Sequence, residues 1–155
     1  MKPHPEGRRS RSRESEALAG HRVRSHTADM IVEAWAPTRV ACLQEAVAGV
    51  VGAFAEARDD AKGDRVPVEL DPGDDGEMLV ALLEDVVYAV DALDAVPLAA
   101  TLHERADGGV SGWLETVPAT SVIEVGATPK GVSRSDLSFA EEEKGRWRCR
   151  VEIDV

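Results

Sequence analysis

Two apolar stripes at helical spacing, with strand-like runs around them and nothing helical after Pro97, most constrain the fold of this chain. Val40, Leu43, Val47, Val50 or Val51, and Phe54 recur at steps of three and four, after Pro37 breaks the preceding run and Thr38 offers an N-cap. Leu79, Leu82, Leu83, Val86, Val90 and Leu93 repeat the pattern behind the turn-rich segment Asp71-Pro72-Gly73-Asp74-Asp75-Gly76. Each stripe needs a surface to cover it. Alternating runs at 31–35, 66–70, 98–104, 112–117, 121–125, 132–140 and 146–155 provide one. The order strand, helix, strand, helix, then several strands predicts an α+β fold, two helices packed on antiparallel sheet. A strand and helix followed by strands occurs twice, which points to a duplicated unit.

The 155 residues suffice for one domain with its own core, placed at 21–155 behind a disordered basic extension at 1–20. That extension holds five Lys or Arg against three Asp or Glu; the remainder holds 13 basic and 26 acidic residues, a net charge of −13. So acidic a body repels phosphate backbones and favours a basic protein partner over direct contact with RNA or DNA. Cys42 and Cys149 read as small buried hydrophobes rather than a disulfide framework, which suits a reducing, cytoplasmic compartment. No apolar run approaches the roughly 18 residues of a membrane span, and no secretory h-region is present.

The chemistry-bearing residues stand near the two ends of the folded part. Asp154 precedes the terminal carboxylate of Val155, and Asp29 closes the motif His26-Thr27-Ala28-Asp29. If the first and last strands are neighbours, Asp29, Asp154 and the Val155 carboxylate make an all-oxygen site for a hard cation, Ca²⁺ or Mg²⁺, with His26 bracing the turn. The bland alternative is that both Asp residues only cap turns. No His/Cys spacing supports zinc. Residues 71–77 are too short for an EF-hand loop and read as a turn capping the second helix; the segment around Lys130 lacks the glycine spacing of a phosphate loop. Ser133, Ser135, His21, His26 and His103 assemble no nucleophile and base, so no autonomous enzyme is expected.

Four blocks in order resemble the archease family. They are His26-Thr27-Ala28-Asp29 with the following strand and Pro37-Thr38, the helix at 77–88, Lys130-Gly131-Val132-Ser133-Arg134-Ser135, and the last strand from Trp147 to Val155, together spanning residues 21–155. The resemblance implies nested strand-helix-strand-strand modules, one inserted in the other. It implies a non-enzymatic protein cofactor of an RtcB-type RNA ligase, promoting the ligase's guanylylation and repeated turnover in tRNA splicing or RNA repair, with RNA met only through the ligase. It also implies that Asp29, Asp154 and Val155 hold a divalent ion, Ca²⁺ or Mg²⁺ with Mn²⁺ a further candidate, and that Lys130 is the family's lysine beside it. Two departures stand out: Arg134-Ser135 replaces the family's Tyr-His, and Glu84-Asp85 occupies the region of its helical asparagine. The different-class alternatives are a structural interaction module without a metal site and a small Ser/His hydrolase.

Overall fold

The computed structural model describes residues 17–25 and 29–155. The expected basic extension therefore lies outside the described residues except at its end, where Gly20 already belongs to the first strand.

Strands β1 (Gly20–Ser25) and β2 (Asp29–Ala36) lead into helix α1 (Arg39–Gly52). Short β3 (Ala55–Ala57), β4 (Asp64–Leu70), helix α2 (Asp75–Ala92), β5 (Ala95–Glu104) and β6 (Val110–Pro118) follow. A 3₁₀ turn, β7 (Val122–Glu124), β8 (Gly131–Glu143) and β9 (Arg146–Asp154) close the chain. Among the described residues three antiparallel sheets result: β1-β2-β9-β8, β4-β6-β5 and the ribbon β3-β7. The unit β4-α2-β5-β6 is thus inserted between α1 and β8 of the unit β2-α1-β8-β9. This is the nested arrangement that the resemblance implies.

Both helices begin where the sequence signals a cap. The Thr38 hydroxyl accepts from the Ala41 amide at 3.1 Å and the Asp74 carboxylate from the Glu77 amide at 2.9 Å, each satisfying an amide that has no intrahelical partner. Asp75 and Glu77 add negative charge to the first turn of α2, the end its dipole favours. The 71–77 segment is therefore a capping turn, as its composition suggests. Phe54 departs from expectation. Helix α1 stops at Gly52, so Phe54 enters the core from the turn into β3 rather than from the helical stripe.

Helix α1 packs on β2 and on β5 of the inserted unit, while α2 packs mainly on β8 and β5. One core joins the two modules. Val32, Leu43, Val47, Leu79, Leu82, Leu83, Leu114 and Ile153 are fully buried there, each side chain stabilising by roughly 1.5–3 kcal/mol. Arg39 fastens the modules at the rim, donating to Asp75 (2.8 Å), Glu104 (3.1 Å) and the Gly108 carbonyl (2.9 Å). Gly112 sits at φ 154° where an added Cβ would lie 1.9 Å from the Thr101 carbonyl oxygen, so β5 and β6 approach this closely only with glycine there. Among the described residues no helix is long and apolar enough to cross a membrane.

Candidate functional site

Alternation along β2 sends Met30, Val32, Ala34 and Ala36 inward and leaves Asp29, Ile31, Glu33 and Trp35 on the open face. Cys149, Val151 and Ile153 of β9 point inward likewise, leaving Arg148, Arg150, Glu152 and Asp154 outside. The first and last long strands of this unit are neighbours, so the sequence-distant acids meet. Asp29 lies directly opposite Asp154, and Asp154 lies directly opposite Gly131 on β8. Direct partners in an antiparallel ladder share a face. The row Asp29–Asp154–Gly131 therefore runs along one rim of the open face.

Gly131 makes room within that row. A Cβ at this position would stand 3.3 Å from Asp154 Oδ2, so the carboxylate lies closely against the glycine. The Lys130 amide donates to the Asp154 carbonyl at 2.7 Å, which fixes the chain leading into β8 against the end of β9; the Lys130 residue is exposed there. The Val155 side chain packs against the core, beyond the last residue of β9.

Glu152 is the residue that sequence reasoning missed. It occupies the next row inward, between Ile31 and Ser133, diagonal to Asp29. Hydrogen bonds to Asp29 and to the Ser135 and Ser133 hydroxyls hold its carboxyl below the ordinary value for Glu. The period-two alternation of a strand was the available signal, since residue 152 lies on the same face as 154.

Of the remaining predicted site residues, His26 lies outside the described residues. Among the described residues, no three His, Cys, Asp or Glu side chains form a ready-made metal cluster. The expected set depends on the Val155 carboxyl for its third donor. Ser133 and Ser135 hydrogen-bond each other, His21 bonds Glu45 at 3.0 Å against α1, and His103 bonds Ser111 at 3.3 Å on the other sheet. These pairings give the two serines of β8 no imidazole partner among the described residues. Arg134, which replaces the family tyrosine, grips both oxygens of Glu77 on α2 at 2.9–3.1 Å and ties the start of β8 to that helix. Cys42 and Cys149 are free and fully buried, and their mutual hydrogen bond with burial pushes the Cys42 thiol far upward, leaving it a poor nucleophile.

The fold and this acidic rim define a small α+β protein with nested modules and oxygen donors gathered at one end of its main sheet. The Archease protein family model matches residues 21–155, and the chain belongs to that family. A probable protein archease of Mycobacterium tuberculosis is 39% identical over 137 residues, covering 88% of this chain and 75% of that protein. The fold is similar to the solution structure of Methanobacterium thermoautotrophicum protein 1598, with a TM-score of 0.61, 18% identity, and coverage of 88% of this chain and 99% of that one. It is also similar to the crystal structure of an archease from Thermotoga maritima, described as a possible chaperone, with a TM-score of 0.61, 14% identity, and coverage of 85% and 94%.

Proposed function

We propose that this protein is a non-enzymatic cofactor of an RtcB-type RNA ligase, working in the cytoplasm and presenting a divalent cation from the rim of its main sheet. The observation that supports the reading best is the direct opposition of Asp29 and Asp154. Like charges placed opposite each other in a ladder are unfavourable unless something neutralises them. Two opposed aspartates, with Glu152 against Asp29, are oxygen donors of the kind a hard cation takes. Ca²⁺, Mg²⁺ and Mn²⁺ accept such oxygen ligands, and none would be held by the buried thiols. When bound, the ion would supply positive charge to phosphate oxygens at the ligase's active site.

The chain's own residues do the positioning. β2 and β9 hold Asp29 and Asp154 at the end of a rigid ladder, Gly131 admits the Asp154 carboxylate, and the Lys130 amide anchors the strand end. The Lys130 ammonium, exposed beside the rim, is suited to meet a phosphate of the bound partner.

Reconstitution with the ligase, GTP and RNA bearing a 2′,3′-cyclic phosphate tests the reading. Wild-type protein should restore repeated turnover, whereas Asp29→Ala and Asp154→Ala should abolish that stimulation while melting as folded proteins. Unchanged ligation with either variant sinks it. Calorimetry with Ca²⁺, Mg²⁺ and Mn²⁺ separates this reading from an interaction module without metal, which would show no site that disappears in Asp29→Asn.

A further inference from the structure

The inner face of the main sheet holds a pair of thiols for which the proposed function has no use. Cys42 lies on the buried side of α1 and Cys149 on the inward side of β9; both are free and neither is exposed. Helix α1 packs on β2 and also reaches β9. Cys149 stands directly opposite Ala34 in the β2–β9 ladder, and the Cys42 thiol donates to the Ala34 carbonyl at 3.5 Å. Direct ladder partners have Cα atoms about 4.5–5.5 Å apart. The Cys42 sulfur therefore reaches down to the backbone of β2 at the row where the Cys149 side chain rises from β9. Small side chains permit the approach: Ala34 on β2 and Ala46, one turn from Cys42 on α1, are fully buried in the same layer. The neighbouring Cys149 sulfur, followed by burial, pushes the Cys42 thiol upward, which agrees with two sulfurs facing each other between helix and sheet.

We infer that Cys42 and Cys149 are a redox pair that a peroxide converts into an intramolecular disulfide, locking α1 to β9. One sulfur attacks the peroxide, keeping one oxygen as a sulfenic acid while the O–O bond breaks and water leaves. The other sulfur then attacks that sulfenic sulfur, the S–O bond breaks and a second water leaves. Two thiols are oxidised and one peroxide is reduced to two waters, which take up both thiol protons. A dithiol reverses the bond by exchange. The fold supplies the proximity, since it holds together two sulfurs that residues 43–148 separate along the chain. That segment contains the whole inserted unit β4-α2-β5-β6, so the bond closes a long loop and constrains the unfolded chain strongly. Because the pair is buried, oxidant reaches it only when α1 lifts from the sheet, and the lock answers sustained oxidant rather than a brief pulse. It closes behind the sheet and leaves Asp29 and Asp154 untouched on the open face.

Full-length protein incubated with hydrogen peroxide, then alkylated in denaturant and weighed intact, tests the inference. The expected product is a monomer lighter by two hydrogens, with no thiol left to alkylate and with the peptides of Cys42 and Cys149 joined. Its melting temperature should rise by about 10 °C, and dithiothreitol should return both mass and melting temperature to their starting values. Cys42→Ser and Cys149→Ser should show neither the loss of hydrogen nor the rise. Should these variants fail to fold, the joined peptides of the wild type decide. Oxygen added to either cysteine without a disulfide overturns the inference, as does a disulfide-linked dimer. Two thiols still alkylated after an exposure that consumes those of the denatured protein overturn it as well.

Discussion

Asp29 and Asp154 stand directly opposite each other across the β2–β9 ladder, with Glu152 diagonal to Asp29 and in contact with it. A directly opposed like-charge pair costs about 0.2–1 kcal/mol in a sheet. In the presence of a chelator, Asp154→Asn should therefore raise the melting temperature by about 1–3 °C. On the proposed reading, millimolar Ca²⁺ or Mg²⁺ should stabilise the wild type and leave this variant unchanged. Thermal melts with and without the ions check both outcomes.

Arg39 joins three elements through charged hydrogen bonds, and its side chain is 15% exposed. Arg39→Ala leaves Asp75 and Glu104 without their shared cation and the Gly108 carbonyl without this donor. The expected loss is about 2 kcal/mol, a fall in melting temperature of about 5 °C. Urea unfolding measures it, and Arg39→Lys should recover only part because one ammonium cannot reproduce the fork.

Asp85 is half-buried on α2, and burial, followed by the neighbouring Glu84 charge, raises its carboxyl above the ordinary value of 3.8. A carboxyl raised on folding adds stability in its protonated form. That contribution is complete below the unfolded value and disappears as pH rises through the folded one. Asp85→Asn should therefore melt higher than wild type at pH 7, with the difference shrinking toward pH 3. A pH series of melts on the two proteins would show it, and a difference constant with pH would contradict the assignment.

The two thiols give a chemical test of the core. Cys42 and Cys149 are free and fully buried, and the Cys42 thiol donates to the Ala34 carbonyl at 3.5 Å. Native protein should react with a thiol reagent only as fast as the core opens, and two equivalents should react at once in denaturant. Rapid native-state labelling of either thiol would show that α1 does not cover β9 as described.

The helices were legible because their information is local. Three- and four-residue spacing marked the core faces of α1 and α2, and Thr38 and the 71–77 turn marked their starts. Phe54 was assigned to the wrong element because an apolar residue one step beyond a helix continues its period while the backbone has already turned. Strand β1 gave little signal. Its His21-Arg22-Val23-Arg24 stretch carries a single aliphatic side chain and is held as a strand by pairing with β2. The three-residue β3 and β7 are likewise strands through each other, Ala55 opposite Glu124 and Ala57 opposite Val122.

The candidate site divides along the same line. Side-chain chemistry singled out Asp29 and Asp154, because oxygen donors near strand ends can be recognised without knowing their neighbours. Alternation also carries which side of a strand faces the core, the signal that would have placed Glu152 beside Asp154. Which strands are adjacent, and in what register, depends on how α1 and α2 cover their sheets, since burying those stripes selects one pairing from many. That choice placed Asp154 between Asp29 and Gly131, put Glu152 against Asp29, and brought Arg22 and Arg148 from separate strands to the two sides of Trp35.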